Sequence, residues 1–152
     1  MIDRVEEAMM DRALRMAHCA ASLGEVPVGA VIYHGDQVIA EGHNRRETDG
    51  DPTAHAEIIA LRRAGNAVGR WRMDGFSMAV TLEPCPMCAG ALVNSRMARL
   101  VYGAADPKMG CVDTLHQLCR DPRFNHRLQV VPGLRDTACA ALLSQFFASR
   151  RR

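Results

Sequence analysis

The sequence predicts a three-layer α/β domain, in which helices cover both faces of a mixed five-stranded sheet. Three observations predict it. Segments of strand and helix character alternate along most of the chain. An early hairpin, residues 28–33 and 37–42 around the turn His34-Gly35-Asp36, puts an antiparallel pair into the sheet. No repeat and no Gly/Ser/Pro-rich linker interrupts the 152 residues, so 1–152 reads as a single domain.

The first helix is marked by Val5, Met9, Ala13, Met16, Ala20 and Leu23, spaced by three and four. Asp3 with Glu6 three residues on fits an N-cap and capping box, and Gly24 ends the helix. After the hairpin, residues 45–52 are polar and loop-like. Thr53 is expected to cap a second helix through Ile58, Ile59 and Leu61 to about Gly65. Residues 77–82 form the third strand. Pro84-Cys85-Pro86 opens a third helix through Ala91 and Val93, with Pro86 suited to the first turn. Residues 99–103 are the fourth strand, 114–119 a short helix and 128–131 the fifth strand. A last helix starts near Arg135 or Asp136, with Ala138, Cys139, Leu142, Leu143, Phe146 and Phe147 as a wide core-facing stripe. Trp71, between Arg70 and Arg72, is expected to pack in the core.

Composition narrows the function. The chain is 48% hydrophobic and 24% charged, with no apolar run near the roughly 20 residues needed to cross a bilayer. Acids at Asp3, Glu6 and Glu7 stand where a signal peptide is basic and then apolar. The expectation is a cytoplasmic protein without membrane contact. The net charge of +2 is unevenly spread: residues 120–152 hold seven basic and two acidic side chains. A basic end suits an anionic partner such as nucleic acid, and equally a solubilising tail. Six cysteines are too few for a disulfide scaffold, so most read as small buried hydrophobes.

Two motifs carry chemistry: His55-Ala56-Glu57 and Pro84-Cys85-Pro86-Met87-Cys88, each opening a helix. Cys85 and Cys88, at i and i+3, share a helix face. A helix N-terminus favours thiolates, and two thiolates with an imidazole suit zinc. Three ligands, His55, Cys85 and Cys88, leave a position for water, and Glu57 stands beside it as the proton acceptor. Residues i and i+2 do not face the same way in a helix, so His55 is expected at the helix start, outside regular geometry. The competing reading is a structural zinc site closed by Cys111, Cys119, Cys139 or another histidine. A thioredoxin-like redox pair fits less well, because it has no use for His-x-Glu.

His-x-Glu followed by Pro-Cys-x-x-Cys resembles the zinc-dependent nucleobase deaminases. Nearly the whole chain is similar to the bacterial tRNA-specific adenosine deaminases, within the cytidine-deaminase-like superfamily. The similarity runs through residues 24–31, 41–47, 51–57, 81–91, 103–108, 124–127 and 139–147. It implies the cytidine-deaminase-like α/β/α sandwich, one Zn2+ per chain, a homodimer, and conversion of adenosine to inosine at the wobble position of a tRNA anticodon. By residue, it implies Asn44 hydrogen-bonding the flipped base and Val28 lining its pocket. It places Asp106 on the RNA backbone, and Phe147 and Arg150 along the anticodon loop with the rest of residues 150–152. Met109-Gly110-Cys111-Val112-Asp113 departs from the smaller residues expected there, and the chain lacks a longer lysine-rich tail. The third helix, with Met87, Ala91, Leu92 and Val93, is expected at the dimer interface. Two further readings remain: a deaminase of free bases or nucleosides of the guanine or cytosine type, and a non-catalytic RNA-binding or zinc-stabilised module. The charged C-terminus argues against the first and Glu57 against the second.

Overall fold

The computed structural model describes residues 3–150. Its elements are α1 (Arg4–Ser22), β1 (Gly29–His34), β2 (Gln37–His43), α2 (Arg46–Asp49), α3 (Ala56–Val68), β3 (Ser77–Leu82), α4 (Pro86–Asn94), β4 (Arg99–Ala104), β5 (Gln129–Pro132) and α5 (Asp136–Arg150). The sheet order is β2-β1-β3-β4-β5. β1 runs antiparallel to both β2 and β3, while β3, β4 and β5 are parallel. This is the expected mixed five-stranded sheet.

Strand alternation sends successive side chains to opposite faces. Ala30, Ile32, Met78, Val80 and Leu100 meet α3 and α4 in one buried cluster. Val31, Tyr33, Ala79 and Val101 meet α1 and Cys139 of α5 in the other. Asp3 caps α1, with the reciprocal bond to Glu6 completing the capping box. The same Glu6 pairs with Arg99 of β4 at 2.5 Å, tying α1 to the sheet.

Glycine brings the site-bearing helix onto the hairpin. A Cβ on Gly42 of β2 would stand 2.6 Å from the Ala56 carbonyl and 2.8 Å from the Ala60 amide. Both are backbone atoms of α3, so no rotamer relieves the contact. That approach sets the depth of the α3 N-terminus, where His55 lies.

Five expectations need correction. Residues 114–119 are turns, not helix. Their amides follow other acceptors: Leu115 donates to the Gly110 carbonyl and Leu118 to that of Cys111, spans longer than the helical four. Thr53 does not cap α3; its amide and hydroxyl both donate to Asp51, and the helix starts three residues later. Trp71 is 62% exposed, with the Arg72 guanidinium 5.3 Å from its ring, and the side chains this connection buries are Met73 and Phe76. The stripe on α5 buries only Cys139, whose sulfur lies against Gly103 of β4. Phe147 is 46% exposed. The nominal loop 45–52 also holds the short helix α2, closed by Gly50 in the left-handed region.

Gly42→Ala is expected to destabilise the fold by about 1–3 kcal/mol through overpacking. Urea unfolding should show a lower midpoint with an unchanged slope. An unaltered midpoint would mean that α3 slides freely on β2.

Candidate active site

α3 and α4 both begin at the same end of the sheet, and both begin with a side chain that could ligate a metal ion. His55 is the N-cap of α3 and Cys85 that of α4, each with extended backbone. Cys88 lies in the first turn of α4, after Pro86 at its start. Because His55 precedes the helix proper, it and Glu57 both line one cavity despite their i, i+2 spacing. The Ala56 amide is capped by Asn44 Oδ1 at 3.0 Å, so a residue twelve positions away holds the start of α3.

His55 Nδ1 lies 3.6 Å from Cys85 Sγ and 3.6 Å from Cys88 Sγ. No other His, Cys, Asp or Glu among the described residues joins this cluster. Cys111, Cys119 and Cys139 are buried elsewhere in the core, so none closes the set. A tetrahedral zinc with Zn–S of about 2.3 Å and Zn–N of about 2.0–2.1 Å spreads its N and S ligands roughly 3.5–3.6 Å apart. The cluster has that spacing and zinc's donor chemistry.

The electrostatics fit a cation. The hydrogen bond from Cys88 holds the Cys85 thiol down at about 4, helped by His55 and opposed by burial. That same bond, with burial, pushes the Cys88 thiol up. The bond to Cys85 raises His55. A metal ion that binds such a set displaces the protons its donors hold. Glu57, 4% exposed, is pushed up to about 7 by burial.

Above the cluster is a cavity of about 310 Å³, at the small end for ligand sites. Val28, Asn44 and Asp106 line it together with Glu57 and His55. Asp106 Oδ1 accepts from the Lys108 and Met109 amides, so it shapes its own loop. A wider groove of about 870 Å³ shares Val26, Arg46, Leu82, Asp106 and Met109 with the cavity and reaches Phe147 on α5. Arg150 lies 4.3 Å over the Phe146 ring and lines neither space. Arg151 and Arg152 lie outside the described residues. On α4, Leu92 and Val93 face the core, which leaves Met87 and Ala91 half-buried. His126, within the 124–127 stretch of similarity, bonds the Met97 carbonyl at 2.7 Å and supports the core.

Sequence reasoning missed Arg46, Met109, Glu25 and Glu83 at this site. Glu25, 2% exposed, accepts from the Glu47 amide (3.2 Å), the Thr48 amide (2.6 Å) and the Thr48 hydroxyl (2.6 Å). It anchors α2, which carries Arg46 at the cavity rim. Burial acts to raise the Glu25 carboxyl, but the Thr48 and Glu47 hydrogen bonds, with Arg46 nearby, hold it below its ordinary 4.5.

A buried carboxylate beside a His-Cys-Cys cluster, at the floor of a base-sized cavity, is the layout of a metal-dependent hydrolytic deaminase. The tRNA-specific adenosine deaminase of Bacillus subtilis (strain 168) is 46% identical over 147 residues, 97% of this chain and 91% of that one. The protein of the same name from Haemophilus influenzae is 45% identical, over 96% and 85%. A solved structure from work on A-to-I editing by tRNA:A34 deaminases at the wobble position of transfer RNA superposes with a TM-score of 0.86 at 42% identity, covering 90% of this chain and 99% of that one. A guanine deaminase from Nitrosomonas europaea gives 0.78 at 27% identity, over 93% and 84%. The chain belongs to the MafB19-like deaminase family, matched over residues 5–151, and within it to the tRNA-specific adenosine deaminases.

Glu25→Gln is expected to cost about 1.5–3 kcal/mol at neutral pH, the worth of a hydrogen bond to a charged group. A carboxyl held below its unfolded value of 4.5 contributes stability above that pH and loses it as pH falls through the folded value. The gap in urea midpoint between wild type and variant should therefore close in acid. A gap that stays constant there would show that the ionised carboxylate is not what holds α2.

Proposed function

We propose that the protein hydrolytically deaminates adenosine to inosine at the wobble position of a tRNA anticodon. The observation that carries this reading is the three-ligand cluster beside buried Glu57, in a chain 46% identical to a tRNA-specific adenosine deaminase. The lower identity to guanine deaminase, 27%, disfavours the free-base reading.

In this reading His55, Cys85 and Cys88 hold one Zn2+ per chain. When bound, zinc supplies a water acidified towards a pKa of about 7, and so a nucleophile at neutral pH. The target adenosine leaves its stack and enters the cavity, since C6 is hidden within the stack. Asn44, with Oδ1 committed to the Ala56 amide, offers its Nδ2–H donors to the base, and Val28 packs on the ring. Glu57 takes a proton from the attacking water and delivers it to ring N1. It then takes the remaining proton from the new C6 hydroxyl and passes it to the departing amino group, which leaves as ammonia while C6 becomes the carbonyl of inosine. The wider groove, with Asp106 and Phe147 on its walls, receives the anticodon loop. In sequence, Arg150, Arg151 and Arg152 follow Phe147 closely and add the positive charge that such an anionic partner needs.

The protein acts in this reading as a cytoplasmic homodimer, with Met87 and Ala91 of α4 in the interface. No helix among the described residues is long and apolar enough to cross a membrane.

Incubation with unmodified tRNA carrying a wobble adenosine, followed by nucleoside mass spectrometry, should reveal inosine at that position and one equivalent of ammonia. Ammonia from guanine or cytosine, with none from tRNA, would overturn the reading. Glu57→Ala should keep zinc and tRNA binding and lose roughly 10²–10⁴ in turnover. Near wild-type turnover in that variant would assign the proton transfers to another group.

A further inference from the structure

We propose that Glu83 is a positioning residue for the substrate: through the 106–114 loop it holds Asp106 and Met109 at the cavity rim and ties that rim to the metal-binding turn. The inference rests on the deaminase reading above for its substrate, and on the following geometry for its mechanism.

Glu83 lies between the end of β3 and Cys85, the N-cap of α4. It is almost wholly buried, and among the described residues no ion pair neutralises it. Its carboxylate is satisfied by one loop instead. Oε1 accepts from the Asp106 amide at 3.1 Å and the Thr114 hydroxyl at 2.5 Å. Oε2 accepts from the amides of Val112 (3.1 Å), Asp113 (2.9 Å) and Thr114 (3.0 Å). All five donors come from residues 106–114, a stretch without helix or strand.

Two further contacts show how closely the loop wraps this group. A Cβ on Gly110 would collide with the Glu83 carboxylate and the Asp106 carbonyl. The Cys111 amide donates to the Pro84 carbonyl at 2.9 Å, in the turn that leads into Cys85. A buried charge tolerates the loss of such donors poorly, because each one offsets part of its desolvation. The loop therefore has one low-energy arrangement. Asp106 and Met109, which line both the cavity and the wider groove, are placed by it. A side chain that served only to pack the core would not need five polar partners from one loop.

The test uses the zinc-loaded full-length protein. Glu83→Gln keeps the shape and leaves a single acceptor oxygen, which serves the Oε1 donors or the Oε2 donors but not both sets. Thr114→Val removes one donor only and stands in if the first variant fails to fold. Amide exchange in the loop should quicken in either variant: at 112–114 or at 106 in Glu83→Gln, whichever set loses its oxygen, by roughly 10- to 100-fold, the worth of one hydrogen bond to a charged group, and at 112–114 in Thr114→Val. Exchange along α4 and zinc content should stay as in wild type. With tRNA, KM should rise several-fold while kcat changes far less, since a smaller share of the protein presents the assembled rim. Faster exchange without a change in KM would overturn the proposal, as would loss of zinc with an unchanged KM, which would make Glu83 a support of the metal turn alone. Exchange is read without substrate, so unaltered exchange counts against Glu83 alone. Wild-type protein that makes no inosine counts against the deaminase reading.

Discussion

Two helix N-termini have to meet at one end of the sheet, close enough for one imidazole nitrogen and two sulfurs to share a point. The rest of the architecture follows from that requirement. α3 reaches the meeting place because Gly42 admits its backbone against β2, and because Asn44 caps it from the end of the hairpin. α4 reaches it because parallel β3 delivers the chain to Cys85 with Pro86 ready to begin a helix. Both N-termini bring partial positive charge to the place where thiolate charge collects, which lowers the cost of burying it.

The walls of the site are held by a different device. Each rim of the cavity is a connecting segment gathered around a buried carboxylate: the short helix α2, through Glu47 and Thr48, around Glu25, and the loop 106–114 around Glu83. Both carboxylates are rooted beside the sheet, one just before β1 and one just after β3. Loops at binding sites are commonly the least stable parts of a fold. Here backbone amides that would otherwise face solvent are spent on ionised acceptors, so the rims inherit the rigidity of the sheet. The two acids that shape the cavity thus differ from Glu57, which lines the cavity beside His55 and Cys85 and whose proton affinity burial raises.

The grouping of these side chains was legible in the sequence because it is written in local motifs. His55, Glu57, Cys85 and Cys88 stand at helix-start signals, and ligand type with spacing suffices to group them. The clash between i, i+2 spacing and a shared target even foretold His55 outside the helix. Strands β1 to β5 lie within a residue or so of their expected bounds, since alternation and turn chemistry are local too. What failed was long-range. Thr53 looked like a cap until Asn44 supplied one from twelve residues away. Residues 114–119 looked helical until distant Glu83 drew in the amides at 112–114. Trp71 looked like core because composition cannot say that Met73 and Phe76 are the side chains this connection buries. Nothing in a single sequence distinguishes Glu25 or Glu83 from an exposed acid.

Everything proposed for catalysis depends on the cluster being an open three-ligand site and not a closed structural one. X-ray absorption at the zinc edge of the purified, zinc-loaded protein tests this most directly. The expected spectrum has two sulfurs at about 2.3 Å, one imidazole nitrogen at about 2.0–2.1 Å and one further light atom that exchanges with solvent. Three sulfurs, or two imidazoles with no exchangeable position, would mean that the chain closes the site itself, and the catalytic reading would be wrong.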